Sequence, residues 1–199
     1  MSFIETPPGR RFPWYVRLFL ANQRRRYGRE LEPARLWGRT PKVFAALSLL
    51  YGALDRKSSP LEPKLRTLVT VLVSRINWCA FCVDINSALG FKRGLTEVHL
   101  AALSDFENSP HFDTRTKAAL AYAQAVTRTD GQVDAALRVR LRSAFDDDAI
   151  IELTALIAFQ NLSSKFNSAL DVAAQGFCTA VPSSGAVTRG AGMSDRGSS

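Results

Sequence analysis

Apolar positions recur along most of this chain at the three-and-four spacing of a helix, with no alternating strand pattern and no two-residue hairpin signal. The clearest run is Leu65, Leu68, Val69, Leu72, Val73 and Ile76, which together line one continuous helical face. Pro60 and Pro63 suit the first turn of that helix, and Ser59 with Glu62 has capping-box spacing. A second helix runs from Cys79 to Arg93 and closes at Gly94, after which Thr96 caps a short helix through Leu103. Asp113 precedes an Ala-rich helix with Ala119, Tyr122, Ala123 and Val126 on one face; Val133, Ala136, Leu137, Leu141, Ala144 and Phe145 form the next stripe. Asp146, Asp147 and Asp148 then stand where a helix N-terminus favours negative charge, ahead of a long helix from Ala149 to about Ala173. Its middle, Leu153 to Phe159, is apolar all round and is expected to be central. The fold class is therefore all-α, a bundle of roughly seven or eight helices.

At 199 residues the chain is one domain with appendages. The break at Ser58-Ser59-Pro60 divides a helical extension, residues 1–57, from a core over 58–178. Residues 179–199 are Gly- and Ser-rich with almost no large apolar side chain, so a flexible tail is expected. With 46% hydrophobic and 22% charged residues, the chain is globular in composition and not fibrous or mainly disordered. No apolar run approaches the ~20 residues of a membrane helix, and the first 13 residues lack an apolar signal core. A cytoplasmic location and reduced cysteines are the expectation.

Charge changes the picture at one end only. The net charge is +8, and residues 1–42 hold ten basic against three acidic side chains. Pro13 opens a stretch with Trp14, Leu18, Phe19 and Leu20 followed by Arg24-Arg25-Arg26, a basic amphipathic helix. The favoured reading packs Trp14, Leu18 and Tyr27 on the chain's own core or on a second subunit. Contact with a membrane or nucleic acid is the lesser alternative, because no zinc-finger, RNP-type or P-loop pattern accompanies the arginines.

The chemistry sits in Cys79-Ala80-Phe81-Cys82. Two sulfurs one helical turn apart can close a small disulfide, and a helix beginning near Cys79 would favour a thiolate through its dipole and unpaired N–H groups. Two other readings stand beside the redox pair: half of a zinc site, or two buried cysteines acting as small hydrophobes. Zinc wants four ligands, and Cys178, His99 and His111 lie far off in sequence, so no metal site is assigned. The two histidines read as surface or capping residues. Gln160 and Asn161, which interrupt an apolar helix, read as partners for helix-to-helix hydrogen bonds.

The run from Pro63 to Val69, then Ser74-Arg75-Ile76-Asn77-Trp78-Cys79 through Asn86, resembles the core of the carboxymuconolactone decarboxylase family, in its alkylhydroperoxidase D-like branch. The likeness continues through Gly94-Leu95-Thr96-Glu97, the Ala-rich helix and the helix from Ile151 to Asn161. It implies an all-helical fold, a homo-oligomer, and a peroxidase or disulfide reductase cycling through a Cys79–Cys82 disulfide without metal or organic cofactor. It further implies that Cys82 attacks a hydroperoxide or disulfide substrate, that Cys79 resolves the product, and that an external dithiol is the reductant. The family's proton relay is a histidine four residues after the second cysteine and a glutamate twelve before the first; here those places hold Asn86 and Thr67. An amide cannot take a thiol proton at neutral pH, so weakened activity is expected. Asp84, at i+2, points away from the Cys82 face, and Arg75 is a cation able to lower a thiol pKa without acting as a base. The alternatives are a catalytically degenerate member serving as an oligomeric binding or scaffold protein and, less favoured, a small-lactone decarboxylase.

Overall fold

The Leu65 to Ile76 stripe becomes the middle of the molecule. The computed structural model describes residues 2–4, 6, 7 and 9–178, and among them the only regular elements are helices. In chain order these are α1 (Trp14–Tyr27), α2 (Glu32–Trp37), α3 (Pro41–Leu54), α4 (Pro63–Ile76), α5 (Ala80–Lys92), α6 (Glu97–Ala102), α7 (Thr114–Thr127), α8 (Ala135–Ala144) and α9 (Asp147–Ala169). A single 3₁₀ turn at Leu103–Asp105 follows α6. Nine α-helices among the described residues exceed the seven or eight expected, because the extension folds as three helices, with α2 added after the basic stretch and the apolar segment Pro41–Leu54 itself helical. The expected tail over residues 179–199 lies outside the described residues.

Helix α4 is central because it is apolar on nearly every side: Leu65, Leu68, Val69, Val71, Leu72 and Val73 are all buried. It packs against α5, α7 and α9. Burying each Leu or Val contributes about 1.5–3 kcal/mol, so this one element anchors the larger core cluster. A second cluster joins the extension to the far end of α5, with Val16, Leu20, Leu36 and Phe44 packed around Cys79, Phe81 and Cys82. The helices of the extension therefore roof the cysteines.

The capping signals divide. Thr96, Asp113, Asp134 and Asp146 each accept a backbone N–H at the start of a helix. The Ser59–Glu62 box does not form: Pro63 is the first helical residue, and Ser59 Oγ is bonded to Glu152 and to the Leu61 N–H. Helix α9 stops at Ala169, short of Ala173, where Asp171 turns to φ 53° and the Val172 N–H bonds back to Asn167 O. Nor is its middle surrounded. Leu153, Leu156 and Ile157 are buried, but Ile151, Ala155, Ala158 and Leu162 leave an open apolar face.

On α1 the buried side is Val16, Leu20 and Gln23, whereas Trp14 and Leu18 are 74% and 64% exposed. Packing of those two on the chain's own core is thus corrected; only Tyr27 of the three is drawn in, edge-on to Phe177. None of the helices among the described residues is long and apolar enough to cross a membrane.

Candidate functional site

The chain leaves α4 through Asn77 and Trp78, the latter at φ 55° in the left-handed region. That reversal lets the Cys79 N–H reach back to Ser74 O (3.0 Å) and aims Cys79 into the N-cap position of α5. Its Sγ accepts the Cys82 backbone N–H at 3.2 Å, as a serine or aspartate cap oxygen would. Cys82 follows one turn later on the same face. Both thiols are reduced and buried, at 1% and 3% exposure.

The two neighbouring thiols are pushed in opposite directions. Cys79 lies below the ordinary thiol range, chiefly because the Cys82 thiol donates to it; burial opposes this, and the backbone N–H groups of Cys82 and Phe81 and the Asn167 amide add to it. Cys82 is pushed well above that range, first by donating to Cys79, then by burial and by the neighbouring negative charge. Asn167 and Ser163 partly offset the rise. Of the two, Cys79 is therefore the thiol that ionises first.

Asn167 reaches the pair from α9. It is 1% exposed, its Nδ2 donates to Cys82 Sγ at 3.2 Å, and its Oδ1 is buried with no hydrogen-bond partner. It also forms part of the wall of a cavity of about 200 Å³ between α9 and the extension, whose other walls include Trp37, Phe44, Tyr51, Phe81 and Phe159. Trp37 stacks on Phe166 with ring centroids 3.6 Å apart, which holds one side of that cavity in place.

The other residues singled out from the sequence lie elsewhere. Thr67 is sealed against α5 where Gly90 allows close approach: a Cβ on Gly90 would stand 3.2 Å from Thr67 Cγ2. Its Oγ1 donates to Pro63 O and accepts from Arg93 Nη1, which belongs to a group centred on Asp55. Gly90 is eight residues beyond Cys82, about 12 Å along the helix, so Thr67 does not reach the thiols. Asn86 is half-buried one turn past Cys82. Arg75 donates to Leu100 O at 2.7 Å, and burial lowers its pKa; its guanidinium is turned away from the cysteines. His99 completes a capping box with Thr96 and meets Lys64 Nζ at 3.1 Å. Gln160 donates to Ser74 Oγ and Asn161 to Thr127 Oγ1, the helix-to-helix bonds expected of them. No group of three or more His, Cys, Asp or Glu suited to a metal occurs among the described residues.

Two functional features escape a reading of the sequence. One is Asn167, although Gln160, Ser164 and Asn167 form a polar stripe at i, i+4, i+7 that marks a buried polar seam. The other is Asp84. It does point away from Cys82, and its carboxylate accepts the backbone N–H groups of Gln175, Phe177 and Cys178 at 2.8, 3.0 and 2.6 Å, which ties the last described segment to α5.

Comparison with known proteins places this geometry. The carboxymuconolactone decarboxylase family profile matches residues 41–125. The uncharacterized protein YnjA of Escherichia coli is 45% identical over 172 residues, 86% of this chain and 94% of its own. A solved structure from Agrobacterium tumefaciens, a protein of unknown function offered as a candidate antioxidant defence protein AhpD, is 27% identical with a TM-score of 0.63, over 67% of this chain and 91% of that one. The debrominase Bmp8, in a cysteine-to-alanine variant complexed with 2,3,4-tribromopyrrole, shares the fold with a TM-score of 0.74 at 20% identity, over 86% of this chain and 92% of its own.

Proposed function

The chain belongs to the carboxymuconolactone decarboxylase family, on its alkylhydroperoxidase D-like side, and from that premise we propose that it is a thiol-dependent peroxidase cycling through a Cys79–Cys82 disulfide. The observation that supports this reading is the N-cap placement of Cys79, whose sulfur accepts the Cys82 N–H and whose pKa the neighbouring Cys82 thiol lowers. A helix N-terminus holds a thiolate, and a thiolate is both the nucleophile and the base this site needs.

The relay positions hold Thr67 and Asn86, so the proton acceptor for Cys82 is Cys79 itself. Proton transfer from Cys82 to Cys79 leaves a Cys82 thiolate, which attacks the terminal oxygen of a hydroperoxide. The S–O bond forms as the O–O bond breaks, and the departing alkoxide takes a proton from solvent to become the alcohol. Cys79 then gives up its proton and attacks the Cys82 sulfenic acid, expelling water and closing the disulfide. The peroxide gains the two electrons that the dithiol loses, and an external dithiol restores the pair by thiol–disulfide exchange. A histidine–glutamate relay would add a factor of about 10²–10⁴, so turnover is slower than that of a relay-bearing peroxidase. The working form is a homo-oligomer, supported by the open apolar face of α9.

Treating the reduced protein with hydroperoxide, then counting thiols and mapping peptides by mass spectrometry, tests the reading. Two of the three thiols should disappear as one Cys79–Cys82 disulfide and return with an added dithiol. A protein that keeps all its thiols, or a Cys79→Ser, Cys82→Ser double variant that consumes peroxide equally fast, would support an oligomeric scaffold instead.

A further inference from the structure

Asn167 has two ends, and only one is occupied. Its Nδ2 is spent on Cys82 Sγ at 3.2 Å, while its Oδ1 is buried without a partner, and the residue itself lines the 200 Å³ cavity. A buried carbonyl left unpaired costs about 1–3 kcal/mol, which a ligand bringing a hydrogen-bond donor would recover. The rest of the wall offers aromatic surface, with Trp37 and Phe44 from the extension facing Phe81 and Phe159. Asn167 thus links a mostly apolar hollow to a cysteine sulfur.

We propose that Asn167 is the positioning residue of this thiol pair, donating to the Cys82 sulfur and accepting the O–H of an organic hydroperoxide whose apolar, aryl-sized body lies in the cavity roofed by α2 and α3. The inference rests on the peroxidase reading above for its substrate half only. The donor end of the amide stabilises the Cys82 anion that forms when its proton passes to Cys79. The acceptor end fixes the terminal peroxide oxygen beside that anion, so the same side chain sets both reacting atoms. The extension thereby becomes the part of the chain that selects the organic group. Hydrogen peroxide can use the amide but gains nothing from the aromatic walls.

Two independent readouts test it. In a Cys79→Ser background, iodoacetamide alkylation of Cys82 is followed against pH by mass spectrometry. Asn167→Leu should slow it about tenfold at fixed pH and move the profile upward, with no peroxide involved. Asn167→Ser, which adds no volume, serves the same purpose should the leucine variant fail to fold. In the parent chain, disulfide formation should be at least tenfold faster with cumene hydroperoxide than with hydrogen peroxide. Ser48→Leu, which fills the cavity from α3, should bring that ratio toward one. An unchanged alkylation profile in a folded Asn167 variant overturns the positioning role. Equal rates with the two peroxides overturn the cavity's role. A parent oxidised by neither peroxide refutes the peroxidase reading and the cavity's role together, and leaves the alkylation result to decide the role of Asn167.

Discussion

A few hydrogen bonds push two neighbouring thiols in opposite directions. Cys79 is lowered by the Cys82 thiol and by the first N–H groups of α5, whereas Cys82 is raised and keeps its proton to higher pH. Replacing Cys82 by serine substitutes a weaker acid for that donor, so the Cys79 titration, followed by thiolate absorbance at 240 nm, should move upward toward the ordinary range while staying depressed by the helix end. In the parent protein, reactivity toward iodoacetamide should rise at a lower pH than that of a free thiol and map to Cys79. Mapping to Cys82 would contradict the assignment. The depressed pKa also makes Cys79 contribute stability above its unfolded pKa that is lost as pH falls through the folded value; the raised Cys82 acts in the opposite sense, contributing stability below its unfolded pKa that is lost as pH rises through its folded value. Asp84 shows how far a single carboxylate can reach. It is 5% exposed and holds three backbone N–H groups, so Asp84→Asn should cost about 2–3 kcal/mol in a urea melt and speed alkylation of Cys178, whose N–H it holds. Unaltered Cys178 labelling would show that the segment is held by Phe177 and Val172 instead.

At the scale of helices, the sequence is most readable where one face alone is apolar and where a cap uses an Asp or Thr side chain. A helix start near Cys79, Gly94 at the close of α5 and Thr96 before α6 all follow from local chemistry. Helix α3 is harder to see: Pro41–Leu54 is apolar on several sides, and Leu49 and Tyr51 remain 77% and 50% exposed, so periodicity gives no single face. Trp14 and Leu18 mislead for the opposite reason, since a large apolar side chain on an amphipathic helix signals burial only when something lies opposite it. Helix pairing is not local at all. That Thr67 faces Gly90 and Arg93 instead of the thiols depends on how α4 crosses α5, which spacing along either helix cannot give. Restoring a glutamate there is accordingly expected to fail as a repair. Thr67→Glu forces a longer side chain into a site 1% exposed, costing about 1–3 kcal/mol in thermal or urea unfolding while leaving the cysteine alkylation profile in place. A faster peroxide reaction in that variant would mean that α4 and α5 bring this position to the sulfurs in the working protein.

Across the whole molecule, apolar surface left uncovered is the strongest pointer to what surrounds the chain. Ile151, Ala155, Ala158 and Leu162 sit at i, i+4, i+7 and i+11 on α9, with Ile151 68% and Leu162 44% exposed. The same helix turns its opposite side to α4 and carries Asn167 to Cys82, so a partner on its outer face would stiffen the element that positions the thiol. A second copy of the chain is the occupant proposed here, because an outer face apolar on α9 and charge-free along these four positions is self-complementary across a two-fold axis. Ile151→Glu with Leu162→Glu places like charges against each other across that axis without touching the core. Light scattering on the parent should give a mass that is a multiple of 21.9 kDa, and the double variant should fall to a smaller species with an unchanged helical signal. Cys82 alkylation should then become slower as α9 loosens and Asn167 holds the sulfur less well. A variant that keeps the parent's mass would move the interface elsewhere, and a parent that runs as a monomer would leave α9 open in solution and remove the link between assembly and the thiol pair.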